Sequence, residues 1–92
     1  MIGTNLRAAD LAYADLSAAD LTLADARGAR LIGASLRKAH LNHAKLAGVD
    51  LSYTDLTGAE LGGADLTAAR LGNAIWTDGR LCGRDSLGRC AP

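Results

Sequence analysis

The chain has 92 residues, 49% of them hydrophobic, and a formal net charge of +0 at pH 7. Residues 1–92 are therefore expected to form a single domain with a modest core. The lack of net positive charge argues against direct nucleic-acid binding, and no apolar run approaches the length of a membrane span. No signal-peptide pattern is visible at the start, so a cytoplasmic location without membrane attachment is expected.

A five-residue repeat runs along most of the chain. Leucine returns at every fifth position, and Ala26 and Trp76 interrupt the series. A small residue, usually alanine, lies two positions before each leucine from Leu11 to Leu71, with Val49 and Thr54 as the larger exceptions. The leucines are Leu6, Leu11, Leu16, Leu21, Leu31, Leu36, Leu41, Leu46, Leu51, Leu56, Leu61, Leu66 and Leu71, and Leu81 keeps the same register.

The five-residue period excludes the common secondary structures. A step of five residues rotates an α-helix by a net angle of about 140°, so the leucines would not form a stripe. In a flat strand, an odd step would place successive leucines on opposite sides. A chain that makes a short extended segment and then turns a corner would bury every leucine. The period therefore predicts a solenoid whose units are stable only when stacked.

The repeat unit resembles that of the pentapeptide-repeat proteins. Ala14-Asp15-Leu16-Ser17-Ala18 and Ala64-Asp65-Leu66-Thr67-Ala68 both show the pattern A(D/N)L followed by two small or polar residues. The resemblance covers about Thr4 to Asp78. It implies an all-β fold, a right-handed quadrilateral parallel β-helix of about four coils over residues 4–78, followed by a C-terminal cap over 79–92.

Residues 20 positions apart should lie above one another on such a helix, and the residue before each leucine should point outward. Four outer columns follow. Opposite charges stacked at the inter-strand spacing attract each other, so alternating columns indicate ladders that fix the register of the coils. Column 1 is Asn5, Asp25, Lys45, Asp65; column 2 is Asp10, Arg30, Asp50, Arg70; column 3 is Asp15, Ser35, Asp55, Ile75; and column 4 is Asp20, His40, Glu60, Arg80.

The resemblance leaves two functions open. The first is a non-enzymatic interaction or scaffold module for an unidentified protein partner. The alternative is a DNA-mimicking binder of a type II topoisomerase such as gyrase, as in the quinolone-resistance members of the family. A DNA mimic needs continuous carboxylates along its sides, and Arg30, Lys45 and Arg70 interrupt the acidic columns. The interaction module is therefore preferred.

Four large side chains are candidates for partner contact. Tyr13 and Tyr53 fall in one corner column with Gly33 between them, which predicts a shallow groove. Exposed tyrosines anchor many interfaces, although packing over the corner residues explains them as well. Leu23 occupies an outward position, where it covers an edge or marks a contact. Trp76 stands at a leucine position and marks the last coil or its plug.

The C-terminal segment departs from the repeat after Asp78. Asp78-Gly79 is a turn signal, and Trp76 and Leu87 are expected to cover the last leucines. The tail is similar to those of other bacterial pentapeptide-repeat proteins, which suggests a bacterial source. Cys82 and Cys90 have three interpretations, namely a disulfide, two reduced thiols, or ligands of a metal. An open end of the solenoid exposes unpaired backbone groups, so a homodimer through a coil end is also expected.

Catalysis and cofactor binding have little support in the sequence. No serine, histidine and aspartate are spaced as a triad, and no phosphate-binding glycine loop precedes a helix. His40 and His43 are three residues apart, which does not bring two imidazoles together on this backbone, so a metal site is not expected. We expect no catalytic, metal or cofactor residues.

Overall fold

The computed structural model describes residues 3–91. Within this range there is no helix and no extended strand, and the regular structure consists of isolated β-bridges between residues 20 positions apart. The parallel bridges run from the pair Asn5 and Asp25 to the pair Asp55 and Ile75. The chain is a right-handed quadrilateral parallel β-helix, which confirms the predicted fold. No helix in the described range is long and apolar enough to cross a membrane.

Each side of the coil ends in a tight turn. The leucine carbonyl accepts a hydrogen bond from the N–H three residues later, as from Ala9 to Leu6 at 3.0 Å. The third residue of each turn, from Gly3 to Asn73, has a φ between 58° and 73°. Positive φ at this position alone is the signature of a type II turn. Most of these residues are not glycine, so the stacked coil holds many left-handed residues against their intrinsic preference.

Leucine and the small residue before it fill the interior. Both point inward from the same short extended segment, and the tight packing between neighbouring coils leaves them inaccessible to solvent. The first and last coils are less covered, with Leu6, Leu11, Leu16, Leu61 and Leu66 only partly buried. The most buried large side chains are Leu36, Leu41, Leu46, Leu51, Leu56 and Leu71, together with Val49 and Thr54.

Thr54 is a polar exception inside the core. Its side chain is fully buried, and its hydroxyl donates a hydrogen bond of 2.7 Å to the carbonyl oxygen of Leu31. The bond satisfies a group that would otherwise lose its hydration without compensation. A threonine therefore replaces the usual alanine here without leaving an unpaired polar atom.

The outer columns follow the predicted register. Every neighbouring pair in columns 1, 2 and 3 is a parallel bridge, as are the pairs of column 4 up to Glu60. Arg80 does not continue column 4, because the carbonyl oxygen of Arg80 instead accepts a hydrogen bond from the N–H of Trp76 at 2.7 Å. The chain leaves the coil at this point, and the predicted placement of Arg80 was wrong.

The cap runs antiparallel to the last coil. Leu81 pairs with Ile75, and Leu87 pairs with Arg70. The N–H of Cys82 donates to Ala74 at 2.8 Å, so the cap closes part of the C-terminal end with backbone hydrogen bonds. Leu81 and Leu87 are 63% and 62% exposed. The predictions that Leu81 keeps the interior register and that Leu87 covers the last leucines were therefore wrong.

Cys82 and Ser86 are the buried residues of the cap. Cys82 is joined to Cys90 by a disulfide, with the two Cα atoms 4.9 Å apart. The Ser86 hydroxyl donates to the carbonyl oxygen of Gly83 at 2.7 Å and accepts from the N–H of Ala91 at 3.0 Å. The cap is thus a small disulfide-closed loop built around one serine hydroxyl. Of the three interpretations of the cysteine pair, the structure has the disulfide.

Both ends of the solenoid retain unpaired backbone groups among residues 3–91. At the C-terminal end, the cap pairs with the two sides that end at Arg70 and Ile75. On the other two sides the N–H groups of Leu61 and Leu66 have no backbone acceptor in the described part of the chain. The first coil is open in the same sense at the N–H groups of Asp10, Asp15 and Asp20.

Candidate functional site

The described part of the chain offers surfaces in place of a concave site. No pocket opens among residues 3–91. Within the same range no three histidine, cysteine, aspartate or glutamate side chains come together as a metal-binding group. The remaining candidates are the four flat sides, the corners between them, and the cap.

The corner that carries Tyr13 and Tyr53 does not form the predicted groove. Tyr13 is 78% exposed and Tyr53 is 65% exposed. The Tyr13 ring lies over Gly33, so a Cβ atom added to Gly33 would approach the ring Cε1 to 2.6 Å. The gap above Gly33 is therefore filled by the ring beside it. Both tyrosines nevertheless present an aromatic side to solvent.

The same arrangement recurs on other corners. His43 lies against Gly63, and Lys38 lies against Gly58, each 20 residues further along the chain. Corner side chains therefore lean along the solenoid toward its C-terminal end, where a glycine gives them room. The signal was present in the sequence as a large residue followed 20 positions later by glycine.

Leu23 and Trp76 have different surroundings. Leu23 is 58% exposed at the corner diagonally opposite the tyrosines, so it is available for contact. Trp76 is partly buried and packs against the leucine core. The four predicted contact residues therefore do not form one surface.

A second apolar surface was missed in the sequence analysis. Leu81 pairs with Ile75 on the outside of the last coil, and Leu87 extends column 2 beyond Arg70. Ile75 and Leu81 therefore lie on the side of column 3, and Leu87 lies on the neighbouring side of column 2. We call these three residues, on two adjacent sides of the last coil, the cap surface. Arg84 and Arg89 are also exposed within the cap segment. The antiparallel return of the chain carries these leucines outward, and the five-residue register gives no sign of that return.

The outward aspartates cap the turns that follow them. In the repeated arrangement, one carboxylate oxygen accepts the N–H two residues later, as from Ser52 to Asp50 at 3.1 Å. Threonine at that position adds its hydroxyl, 2.7 Å from Asp20 and 2.6 Å from Asp65. These hydrogen bonds lower the pKa of both carboxyl groups, because they favour the charged form.

Basic residues pair with several of the aspartates. Arg27 makes two hydrogen bonds to Asp25, at 2.9 and 2.8 Å, and lowers the pKa of this carboxyl to about 2. Arg30 lies 3.0 Å from Asp10, along column 2. Arg37 lies 3.0 Å from Asp55, next to column 3. These pairs divide the negative charge into short stretches.

Column 4 holds the histidine that the sequence placed near two carboxylates. His40 Nδ1 lies 3.3 Å from Glu60 Oε1. The Asn42 amide donates to the same carboxylate at 3.0 Å. Hydrogen bonds from Asn42 and then from His40 lower the pKa of Glu60. His43 instead lies at the corner over Gly63.

These features define a four-sided β-solenoid with flat outer sides and no enclosed pocket among residues 3–91. Residues 1–37 and 34–73 match the model of the family described as pentapeptide repeats, in 8 copies. The chain belongs to the pentapeptide repeat family. No curated protein matches the sequence significantly.

Solved structures of pentapeptide repeat proteins are similar to the chain. One from the Arabidopsis thaliana thylakoid lumen is 36% identical with a TM-score of 0.78, over 79% of this chain and 50% of its own. HetL, involved in heterocyst differentiation regulation in the cyanobacterium Nostoc sp. strain PCC 7120, is 39% identical with a TM-score of 0.55, over 84% of this chain and 40% of its own. Rfr23 from the cyanobacterium Cyanothece 51142 is 26% identical with a TM-score of 0.58, over 79% of this chain and 74% of its own. The chain spans about half or less of the length of the first two relatives.

Proposed function

We propose that the chain is a non-enzymatic protein-binding module whose partner contacts the cap surface. Burial of exposed leucine side chains by a partner removes apolar surface from water, which is favourable. Leu81 and Leu87 are each more than three-fifths exposed, and both are held by backbone pairing to the last coil. The exposure of these two apolar side chains on a backbone paired to the last coil is the observation that carries the proposal.

The surroundings of the cap surface suggest the chemistry of the partner. Three exposed arginines lie close to the two leucines. Arg70 is bridged to Leu87, and Arg84 and Arg89 lie within three residues of Leu81 or Leu87 along the chain. Arginine is enriched at protein interfaces, where its planar group binds carboxylates through two hydrogen bonds. A partner with an apolar contact flanked by acidic side chains would fit this surface.

The disulfide also bears on where the module works. Disulfides persist in oxidising compartments and are rare in the reducing cytosol. The Cys82–Cys90 bond therefore favours an oxidising compartment over the cytoplasmic location expected from the composition.

The test is affinity capture from a lysate of the source organism, followed by a binding titration with the purified partner. The decisive variant is Leu81→Asp/Leu87→Asp, which should reduce the affinity by at least about tenfold. Leu23→Asp is the matched control, because it changes an equally exposed leucine at a distant corner. Equal binding by both variants and the unaltered protein would show that the partner binds elsewhere.

A supercoiling assay with purified gyrase tests the alternative of a topoisomerase-binding DNA mimic. The ion pairs of Asp10, Asp25 and Asp55 with arginines argue against this alternative, because they interrupt the carboxylates that a mimic of DNA requires. We therefore expect no change in supercoiling. Inhibition that is insensitive to Leu81→Asp/Leu87→Asp would favour the mimic.

A further inference from the structure

Column 2 has a charge order that is complementary to its own reverse. Its four residues are Asp10, Arg30, Asp50 and Arg70, each bridged to the next along the solenoid. Read from the other end, the order is positive, negative, positive, negative. An antiparallel copy would therefore set Asp10 against the partner's Arg70 and Arg30 against the partner's Asp50. Every level would bring opposite charges together.

The other three columns lack this property. Column 3 ends in Ile75, and column 4 would set Asp20 against the partner's Glu60. Column 1 pairs opposite charges only at its two middle levels, where Asp25 is already held by two hydrogen bonds from Arg27. Column 2 is thus the side whose charges favour a twofold contact, in which the same patch serves on both copies.

The borders of this side also suit a close approach. The corner before column 2 carries Ala8, Gly28, Gly48 and Ala68, which leave no bulky side chain at that edge. The corner after it carries Tyr13 and Tyr53. The Tyr13 ring leans over Gly33, and the level of Gly33 is the one that faces the partner's Tyr53 in the antiparallel arrangement. Two such aromatic pairs would close the same edge of the contact.

We propose that two copies of the chain pack side by side and antiparallel through column 2, around a twofold axis between the levels of Arg30 and Asp50. Within one chain, Arg30 and Asp10 are 57% and 63% exposed although they are paired, so both retain room for a second partner. Arg70 is exposed and has no ion pair within residues 3–91. The contact uses the four levels from Asp10 to Arg70, and Leu87 of the cap surface lies one level beyond Arg70 on the same side.

The size of the side sets the strength of the contact. The molecule measures 31 × 24 × 22 Å, so one flat side offers at most an area similar to the roughly 800 Å² per partner of a standard interface. We therefore expect a weak dimer, with a dissociation constant between about 1 µM and 1 mM at low salt. Because its core is made of charge pairs, added salt should dissociate it.

Sedimentation equilibrium of the full chain, up to about 1 mM protein at low salt, tests the contact. Arg30→Asp places like charges opposite each other at both middle levels and should weaken the dimer by about tenfold or more. Lys45→Asp is the matched control, because it makes the same change in net charge on column 1. Circular dichroism establishes that each variant is folded.

The double variant Arg30→Asp/Asp50→Arg separates contact between chains from stability within one chain. Along the solenoid it sets two acidic residues and then two basic residues next to each other. Like charges then repel between neighbouring coils, so the double variant is less stable than the natural order within a single chain. Across the twofold axis, every level again has opposite charges. Near-natural dimerisation of the double variant would therefore support the proposal.

Any one of four results would overturn it. The first is that the natural chain remains monomeric at the highest concentration. The second is that Arg30→Asp dimerises as strongly as the natural chain. The third is that the double variant dimerises as weakly as Arg30→Asp. The fourth is dimerisation that is lost equally in Lys45→Asp, which would show that net charge, and not column 2, controls association.

Discussion

Alanine substitutions at Gly33 and Gly48 separate backbone strain from side-chain contact at the corners. Both glycines have positive φ, 68° and 71°. A Cβ at Gly48 would meet nothing within 4 Å, so Gly48→Ala introduces only the unfavourable left-handed conformation. That strain is about 1–2 kcal/mol, offset in part because alanine loses about 0.5–1 kcal/mol less backbone entropy on folding. We expect a net loss of about 1 kcal/mol.

Gly33→Ala should be more damaging because of Tyr13. The new Cβ would lie 2.6 Å from ring Cε1 and 2.7 Å from Cδ1, so the ring must rotate away. The ring is largely exposed and free to move, and an off-rotamer side chain costs about 0.5–1.5 kcal/mol. With each kcal/mol worth roughly 4–8 °C in a domain of this size, Gly33→Ala should melt several degrees below Gly48→Ala.

Thermal and urea unfolding of both variants, with and without Tyr13→Ala, provides the measurement. In the Tyr13→Ala background, the two glycine substitutions should have the same effect. The reasoning about the ring is refuted if Gly33→Ala remains the more damaging after Tyr13 is removed. No loss in Gly48→Ala would refute the strain argument, and the non-glycine corners such as Ala18 and Lys38 would then be unstrained.

Three further predictions concern the core, the outer carboxylates and the cap. Leu46→Ala, at a fully buried position, should cost about 2–5 kcal/mol in urea unfolding, and Leu11→Ala, in the partly exposed first coil, distinctly less. The pKa of Asp25 is lowered in the folded state, so the stabilisation from Asp25 is complete above about pH 4 and is lost as the pH falls toward 2. Asp25→Asn should therefore reduce the fall in melting temperature over that pH range. An unchanged fall in melting temperature would contradict this prediction. Cys82→Ser should lower protection of the cap from hydrogen exchange by up to about 2–3 kcal/mol, the chain-entropy value for the closed loop. Reductant should lower the protection of the cap in the natural chain by the same amount, and it should have no further effect on Cys82→Ser.

The repeating part of the fold was predictable because one geometric solution satisfies the period. Leucine at every fifth position cannot be buried by a helix or a flat strand, and a four-sided coil buries it on every side. The register of the coils then assigned neighbours such as Asp10 and Arg30 without any structural information. Repetition turns a weak local preference into a strong one, since each coil must agree with the next.

The cap was not predictable from the same pattern. Leu81 lies five residues after Trp76 and ten after Leu71, so the period places it inside. The chain instead returns antiparallel, because the N–H of Cys82 bonds to Ala74 and the disulfide holds the return in place. Once the chain leaves the coil, the five-residue period no longer predicts which side chains are buried. Leu81 is therefore exposed although the period places it inside.

The candidate surfaces were predicted only in part, for a related reason. The sequence showed which corner residues were large, and Tyr13, Leu23 and Tyr53 are indeed exposed. It did not show that corner side chains lean along the axis, which fills the groove expected above Gly33. The direction of a side chain depends on the positive φ of the turn, and that follows from three-dimensional stacking more than from residue type.

The division between inner and outer positions limits what family membership can say about function. Packing dictates leucine and alanine inside the coils of such a solenoid, whatever the protein binds. Outward residues are free of that constraint, apart from the aspartates that hold the turns. Column 2 carries both an aspartate at the turn and a charge order that suits a second copy. A partner must therefore be sought in outward residues such as those of column 2 and the cap surface, where likeness to HetL or to the lumenal protein carries the least information.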